Sequence, residues 1–242
     1  MQRSAIPAGA VCRDLSVSNA EIVQLYITYT FKPVTQYAYN HLSTVQSTMP
    51  NSDITLYFLN SSRAIRVAWL LEELNLIYEA ICADRAPNGL APPEFKSQIP
   101  HALGKSPTIK DGPLVVTESG AILEYLCEIY DKEHKYLPSD PGTRADVRQW
   151  LHAAEGTFMT HALAILYARW HMPEEGRGML AGMEERLGKN VRNDLGWLEG
   201  ALTDQRANGK DWIVGDGITI ADIQMQFRYV HRLHKICQVL GR

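Results

Sequence analysis

The chain has 242 residues, of which 45% are hydrophobic and 21% charged, a balance typical of globular proteins and unlike fibrous or disordered chains. Its formal net charge of −3 gives no basic field for a nucleic-acid backbone, so we expect no nucleic-acid partner. No apolar run reaches the roughly 18 residues that a membrane-spanning helix needs, and the scattered cysteines show no CxxC spacing, so we expect a cytoplasmic protein without integral membrane contact, disulfides or a metal site.

Residues 1–52 differ in composition from the rest of the chain. They are rich in Ser, Thr and Tyr, contain few charged side chains and show no clear hydrophobic period. Such a leader fits an organelle transit peptide, a disordered extension, or translation that starts at Met49. We expect a disordered extension, and nothing in it has a catalytic pattern.

The segment 53–133 has the pattern of a small α/β domain. β-rich apolar runs predict strands, and apolar residues at helical spacing predict helices. The predicted elements are, in chain order, strand 54–59, helix 63–74, strand 77–83, helix 91–98, strand 108–110, a turn at 111–113, strand 114–117 and a helix from Ser119 to about Asp131. This order predicts a mixed sheet flanked by helices.

Prolines and turn residues in 134–142 predict a linker, and strand signals are absent after it. Long helices are predicted over 143–171 and 179–202, and a third begins at Thr219 with the pattern of a capping box. The sequence therefore predicts an all-α domain over 143–242. We expect this domain to be curtailed at its C-terminus, because few residues follow the third helix.

Four segments resemble the glutathione S-transferases and follow one another in that family's order and spacing. They are YFLNSSRA at 57–64, HALGKSP at 101–107, TESGAIL at 117–123 and GDGITIAD at 215–222. The combination of Ser-Arg-Ala with Leu-Gly-Lys-Ser-Pro is most similar to a branch common in fungi and bacteria. The resemblance implies a thioredoxin-like α/β domain, a helical second domain and a homodimer.

The family's reaction is attack by the glutathione thiolate on a hydrophobic electrophile, with glutathione as co-substrate and no bound cofactor. An ordinary thiol has a pKa of about 8.5, so only a few per cent is thiolate at neutral pH. One charge-assisted hydrogen bond contributes about 1.5–3 kcal/mol and a helix N-terminus about 0.3–1 kcal/mol. Together they suffice to lower the thiol pKa by about two units. A hydroxyl donor at the start of the first helix can therefore activate the thiol.

Two hydroxyls are candidates for this catalytic donor. Ser62 directly precedes the Arg-Ala pair at 63–64, as the activating serine does in similar sequences, whereas Tyr57 has the position of the activating tyrosine in other classes. Each also has a purely structural interpretation, Ser62 as a helix N-cap and Tyr57 as a core aromatic. In that case backbone amides and Asn60 or Ser61 would hold the sulfur. We favour Ser62.

The resemblance also implies a glutathione-binding set in two segments. Pro107 is expected to follow a cis peptide bond, which would turn the N–H and C=O of Ser106 toward the cysteinyl part of glutathione. Ser119 is expected to cap a helix whose N-terminus binds the γ-glutamyl carboxylate, with Glu118 meeting the ammonium. Lys105 is placed to meet the glycyl carboxylate.

The sequence thus predicts a detoxification enzyme, a glutathione transferase that could also reduce organic hydroperoxides with the same thiolate. The loop 60–63 contains no cysteine, which disfavours disulfide exchange through a protein thiol. The alternative is a non-catalytic protein of the same fold that serves as a protein–protein interaction module. The binding set argues for catalysis, and the curtailed end argues for a weakened pocket.

Overall fold

A four-stranded mixed sheet forms the first part of the described chain. The computed structural model describes residues 53–226, so the predicted extension 1–52 and the predicted curtailed end fall outside the described residues. The elements are β1 (Ile54–Leu59), α1 (Ala64–Glu73), β2 (Glu79–Ala83), α2 (Pro93–Gln98), β3 (Thr108–Asp111), β4 (Leu114–Thr117) and α3 (Ser119–Tyr130). The strand order is β2-β1-β3-β4, with β1 parallel to β2 and the other pairs antiparallel. The predicted thioredoxin-like sheet is confirmed.

Helices form the second part. They are α4 (Pro141–Ala153), a π-helical segment (Ala154–Met159), α5 (Thr160–His171), a 3-10 segment (Glu174–Met179), α6 (Leu180–Ala207) and α7 (Ile220–Gln224). The prediction of one continuous helix over 143–171 is wrong in its middle, because a π-helical turn interrupts the α-helical bonding there. Within residues 53–226, no helix is both long and apolar enough to span a bilayer.

One continuous apolar core joins the sheet to the helical part. Helix α1 lies between the two, and seven of its ten residues are buried. Because side chains alternate along a strand, Ile54, Leu56 and Phe58 of β1 enter this large core. Tyr57 and Leu59 point to the opposite face, where they join a smaller cluster packed against α2.

The segment predicted as a linker, 134–142, is firmly packed at its start. Tyr136 and Leu137 are buried, and the carboxylate of Asp131 accepts hydrogen bonds from both of their N–H groups. The Tyr136 hydroxyl donates to the Glu73 carboxylate at 3.0 Å, and the main-chain carbonyl oxygen of Tyr136 accepts from the Ile220 N–H at 2.9 Å. The connection is therefore fixed from both sides, and the division into two domains at this point stays a prediction.

Buried Asp222 completes the capping box of α7. Its carboxylate accepts the N–H and hydroxyl of Thr219 and the N–H of Ile213, at 2.9–3.0 Å. Asp222→Ala should lower the free energy of unfolding by about 2–4 kcal/mol, because these buried donors lose their acceptor. Chemical denaturation of this variant and of wild type measures the effect. Asp216→Ala, which removes an exposed ion-pair partner of Lys210, is the control. Equal stability of the two variants would contradict the expectation.

Candidate functional site

Ser62 and Ser106 meet at the carboxyl end of β1, where their hydroxyl oxygens lie 3.4 Å apart. The Ser106 hydroxyl donates to the Tyr57 carbonyl oxygen at 2.9 Å and accepts from the Leu59 N–H at 3.0 Å. Since a serine has one proton and that of Ser106 is engaged, Ser62 is the donor in the contact between the two hydroxyls.

The Ser62 hydroxyl is oriented by the start of α1. Its oxygen accepts from the Ala64 N–H at 3.1 Å, although Arg63, not Ser62, occupies the N-cap position. Its own donated bond to Ser106 is long at 3.4 Å and therefore weak. The Ser62 proton can turn to a stronger acceptor, such as a thiolate, with little loss.

The peptide bond between Ser106 and Pro107 is cis, as the resemblance implies. Ser106 is half-buried, and neither its main-chain N–H nor its carbonyl oxygen has a hydrogen-bond partner among residues 53–226. A free N–H and C=O on one residue can pair with an extended peptide as a neighbouring strand would. Lys105 is exposed on the same loop.

The pairing of β3 with β4 brings the second predicted segment beside the first. Thr108 is opposite Thr117, so Pro107, just before β3, and Glu118, just after β4, lie at the same end of this strand pair. Glu118 is exposed and has a φ of +70°, in the left-handed region that residues other than glycine rarely adopt. Such conformations are concentrated at ligand sites, where the surrounding structure enforces them.

The prediction that Ser119 caps α3 is wrong, because Glu118 has the N-cap position and Ser119 is the first helical residue. The Ser119 hydroxyl is buried and turned toward α1, where the guanidinium of Arg66 donates to it at 3.3 Å. Gln224 of α7 donates to the same oxygen at 3.0 Å. Among residues 53–226, no side chain caps the first N–H groups of α3, and uncapped helix N-termini of this kind bind carboxylates.

Tyr57 reaches Ser106 through its carbonyl oxygen, while its ring packs in the small cluster against α2. The residue is 7% exposed. Burial, with a contribution from the charge of Glu79, raises the pKa of the Tyr57 phenol. Of the two candidate hydroxyls, that of Ser62 is the one in contact with the Ser106 hydroxyl.

A buried ionic cluster that the sequence analysis missed lies between α1 and the π-helical segment. Arg66 is 1% exposed, and its Nη1 lies 2.7 Å from Oε1 of Glu155, while its Nε donates to the Gln226 carbonyl oxygen at 3.1 Å. Arg63 binds the same carboxylate from the more exposed side at 2.8 Å. Burial lowers the pKa of Arg66 to about 10 against the opposing effect of Glu155, so the guanidinium stays charged at neutral pH.

Burial alone would raise the pKa of Glu155, but hydrogen bonds from Arg63 and the charge of Arg66 outweigh it. The pKa of Glu155 therefore lies below its ordinary value of 4.5. A sequence signal existed for Arg66, which is the one charged residue in the run 64–71 and therefore needs a buried partner. No such signal existed for Glu155, which is 89 positions away in sequence.

Neither a metal centre nor an activated thiol is found among residues 53–226. No three His, Cys, Asp or Glu side chains in this part of the chain are grouped so that they could hold a metal ion. Cys82 and Cys127 are free, and burial raises the pKa of both thiols. Both are therefore largely protonated, and weakly nucleophilic, at neutral pH.

Comparisons with known proteins relate this chain to one family. Residues 52–128 match the family described as "Glutathione S-transferase, N-terminal domain". "Glutathione S-transferase 3" of Schizosaccharomyces pombe is 30% identical over 186 residues, which cover 72% of this chain and 72% of that protein. The similarity to this protein thus extends well beyond the segment 52–128.

Solved structures show a similar fold. A glutathione S-transferase from Actinobacillus pleuropneumoniae has a TM-score of 0.59 at 29% identity, covering 78% of this chain and 85% of that chain. A glutathione transferase homolog from Lodderomyces elongisporus, solved with two GSH per subunit, has a TM-score of 0.61 at 26% identity, covering 77% and 86%. In both cases the likeness includes the sheet and the helices that follow it.

Proposed function

Because this chain belongs to the glutathione S-transferase family, we propose that it binds glutathione, activates its thiol and transfers it to hydrophobic electrophiles in detoxification. One observation carries the proposal. The weakly engaged hydroxyl of Ser62 lies beside Ser106, whose main-chain N–H and C=O are without partners in the described residues. We propose further that the enzyme works as a cytoplasmic homodimer, as its family resemblance implies.

In the proposed complex, the cysteinyl part of glutathione pairs with the main chain of Ser106. The γ-glutamyl carboxylate meets Ser119 and the first N–H groups of α3, and its ammonium meets the exposed carboxylate of Glu118. Lys105, on the same loop as Ser106, meets the glycyl carboxylate. The support for this pose is that the β3–β4 register makes the Ser106 and Glu118 segments neighbours.

Ser62 is the proposed catalytic residue, and its role is to donate a hydrogen bond to the bound sulfur. The thiol proton leaves to solvent because the charged sulfur accepts this bond more strongly than the neutral one. The thiolate then attacks an electrophilic carbon, a C–S bond forms, and the leaving group departs with the electron pair. No protein-bound metal or cofactor takes part in these steps.

The same thiolate would reduce an organic hydroperoxide. It attacks the terminal peroxide oxygen, the O–O bond breaks, and an alcohol leaves after taking up a proton. The resulting glutathione sulfenic acid reacts with a second glutathione to give the disulfide and water.

Calorimetric titration of the full chain with glutathione, from pH 5 to 9 and in two buffers of different ionisation enthalpy, tests the proposal. If binding lowers the thiol pKa, the complex releases protons between the bound and free pKa values, most strongly near neutral pH. S-methylglutathione is the matched control, because it binds through the same groups but has no thiol proton to release.

Binding of glutathione without proton release would contradict thiol activation while retaining the binding site. A folded chain that binds neither ligand would contradict the enzyme and favour the alternative, a non-catalytic module that uses this fold for protein–protein association. Conjugation of a chromogenic electrophile then distinguishes a transferase from a protein that only stores glutathione.

A further inference from the structure

Ser119 is held from two sides by buried side chains of distant elements. Arg66 of α1 and Gln224 of α7 both donate to its hydroxyl oxygen, at 3.3 and 3.0 Å. The three residues are between 1% and 4% exposed, so packing fixes this arrangement. The Gln224 Oε1 atom is buried and has no partner among residues 53–226. The Gln224 side chain thus directs its Nε2 group to Ser119 and leaves its Oε1 atom unpaired within the described residues.

These two bonds decide where the Ser119 hydroxyl proton can go. A serine oxygen has two lone pairs and one proton, and here both lone pairs are engaged by N–H donors. Within the described part of the chain, no group accepts the remaining proton. The O–H is therefore left for a ligand at the start of α3, where the helix also presents uncapped N–H groups.

The charge behind Ser119 favours an anion. Arg63, Arg66 and Glu155 form one cluster of two positive and one negative side chain, with a net charge of +1. Since Arg66 is buried, solvent ions screen its field less than they screen that of a surface arginine. A carboxylate at the start of α3 is stabilised by this field, and an ammonium at the same point is not.

We propose that Arg66 and Gln224 are positioning residues for a carboxylate: they turn the Ser119 O–H outward, and Arg66 adds its charge from behind. The proposal rests on the proposed function, because it assigns this subsite to the γ-glutamyl carboxylate of glutathione. Neither residue touches the ligand, and both act through Ser119.

The test compares glutathione with 4-aminobutanoyl-Cys-Gly, an analogue that lacks only the γ-glutamyl α-carboxylate, by calorimetry on the full chain. The wild-type chain should bind glutathione about 10–100-fold more tightly than the analogue. Arg66→Met should reduce this preference about tenfold, because the affinity for glutathione falls while the affinity for the analogue stays unchanged. A purely structural role would weaken both ligands alike.

Gln224→Leu is a second, milder variant. It removes one of the two donors to Ser119 but also removes the unpaired buried oxygen, so we expect the chain to fold. The preference for glutathione should fall about threefold. If Arg66→Met does not fold, the ratio of the two affinities in Gln224→Leu decides the question alone. A ratio equal to that of wild type overturns the proposal.

Arg63→Gln is the matched control, because Arg63 donates to the same Glu155 carboxylate but not to Ser119. It should keep most of the wild-type preference, because the Arg63 side chain is 38% exposed and solvent screens its charge more than that of buried Arg66. Equal losses for both ligands in Arg66→Met would overturn the proposal, and so would a loss of preference in Arg63→Gln as large as in Arg66→Met. A wild-type chain that binds neither ligand would instead overturn the proposed function.

Discussion

Ser62→Ala should raise the pKa of the bound glutathione thiol by about one to two units. The variant removes a hydrogen bond to a charged sulfur, which is worth about 1.5–3 kcal/mol, and one pKa unit corresponds to about 1.4 kcal/mol. The acidic limb of the pH–rate profile should move to higher pH by the same amount. At pH values below the thiol pKa of the variant complex, activity should fall about 10–100-fold. The loss should be smaller in alkaline solution, where the thiolate is abundant without this hydrogen bond.

The ultraviolet absorbance of the bound thiolate, followed as a function of pH, measures this shift directly. Ser62→Thr keeps a hydroxyl at the same position and should retain most of the low thiol pKa. Tyr57→Phe tests the competing donor and should leave the thiol pKa unchanged, because the phenol packs in the cluster against α2. A shift in Tyr57→Phe with none in Ser62→Ala would reverse the assignment.

Glu155→Ala should lower the free energy of unfolding by about 2–4 kcal/mol. It leaves the buried guanidinium of Arg66 without its carboxylate, and breaking a fully buried ion pair in this way costs about 3–5 kcal/mol. The expected loss is smaller here because the Glu155 side chain is 34% exposed, so water partly replaces it. Glu128→Ala is the control, since its 3.6 Å contact with Arg148 is at the surface and should contribute less than about 1 kcal/mol.

The destabilisation by Glu155→Ala should depend on pH. Because the pKa of Glu155 is lower in the folded chain than its ordinary value of 4.5, its contribution is complete above that value and is lost as the pH falls. Denaturant titrations of wild type and variant should therefore converge in acid. A gap that widens in acid, or one equal to that of Glu128→Ala at neutral pH, would refute this account.

The double variant Arg66→Met/Glu155→Leu separates stability from binding. Replacing both members of a buried pair by apolar side chains is often neutral or stabilising, so most of the lost stability should return. The preference for the γ-glutamyl carboxylate should not return, because Arg66 is still missing. Recovery of both properties together would mean that Arg66 affects binding only through the stability of the fold.

Local signals predicted most of the sheet and of its connections. The β-rich apolar run at β1, the turn at 111–113 and the capping box at Thr219 are each encoded within a few residues, and the structure has all three. The π-helical segment was not predictable in this way, because over a single turn its apolar spacing does not differ from that of an α-helix.

The resemblance named the residues of the candidate site but not the hydrogen bonds that their side chains make. The resemblance assigned Ser119 to the binding set, yet its hydroxyl is held by Arg66 and Gln224, and the latter is 105 positions away. Strand alternation alone could have placed Tyr57 with Leu59, away from the face of Leu56. The partnership of Arg66 with Glu155 depends on how helices from two parts of the chain pack, which no local pattern encodes.

The contacts of Arg66 limit how this scaffold can be recombined. Its guanidinium starts on α1, next to the sheet, but is neutralised by Glu155 and bonded to the Gln226 carbonyl oxygen, both of the helical part. A chimaera that takes its helices from another member of the family would leave the charge of Arg66 without a counter-ion unless those helices bring a carboxylate to the position of Glu155. Residues 66, 119, 155 and 224 therefore have to be exchanged as a set, and helical faces that do not touch them are freer to vary.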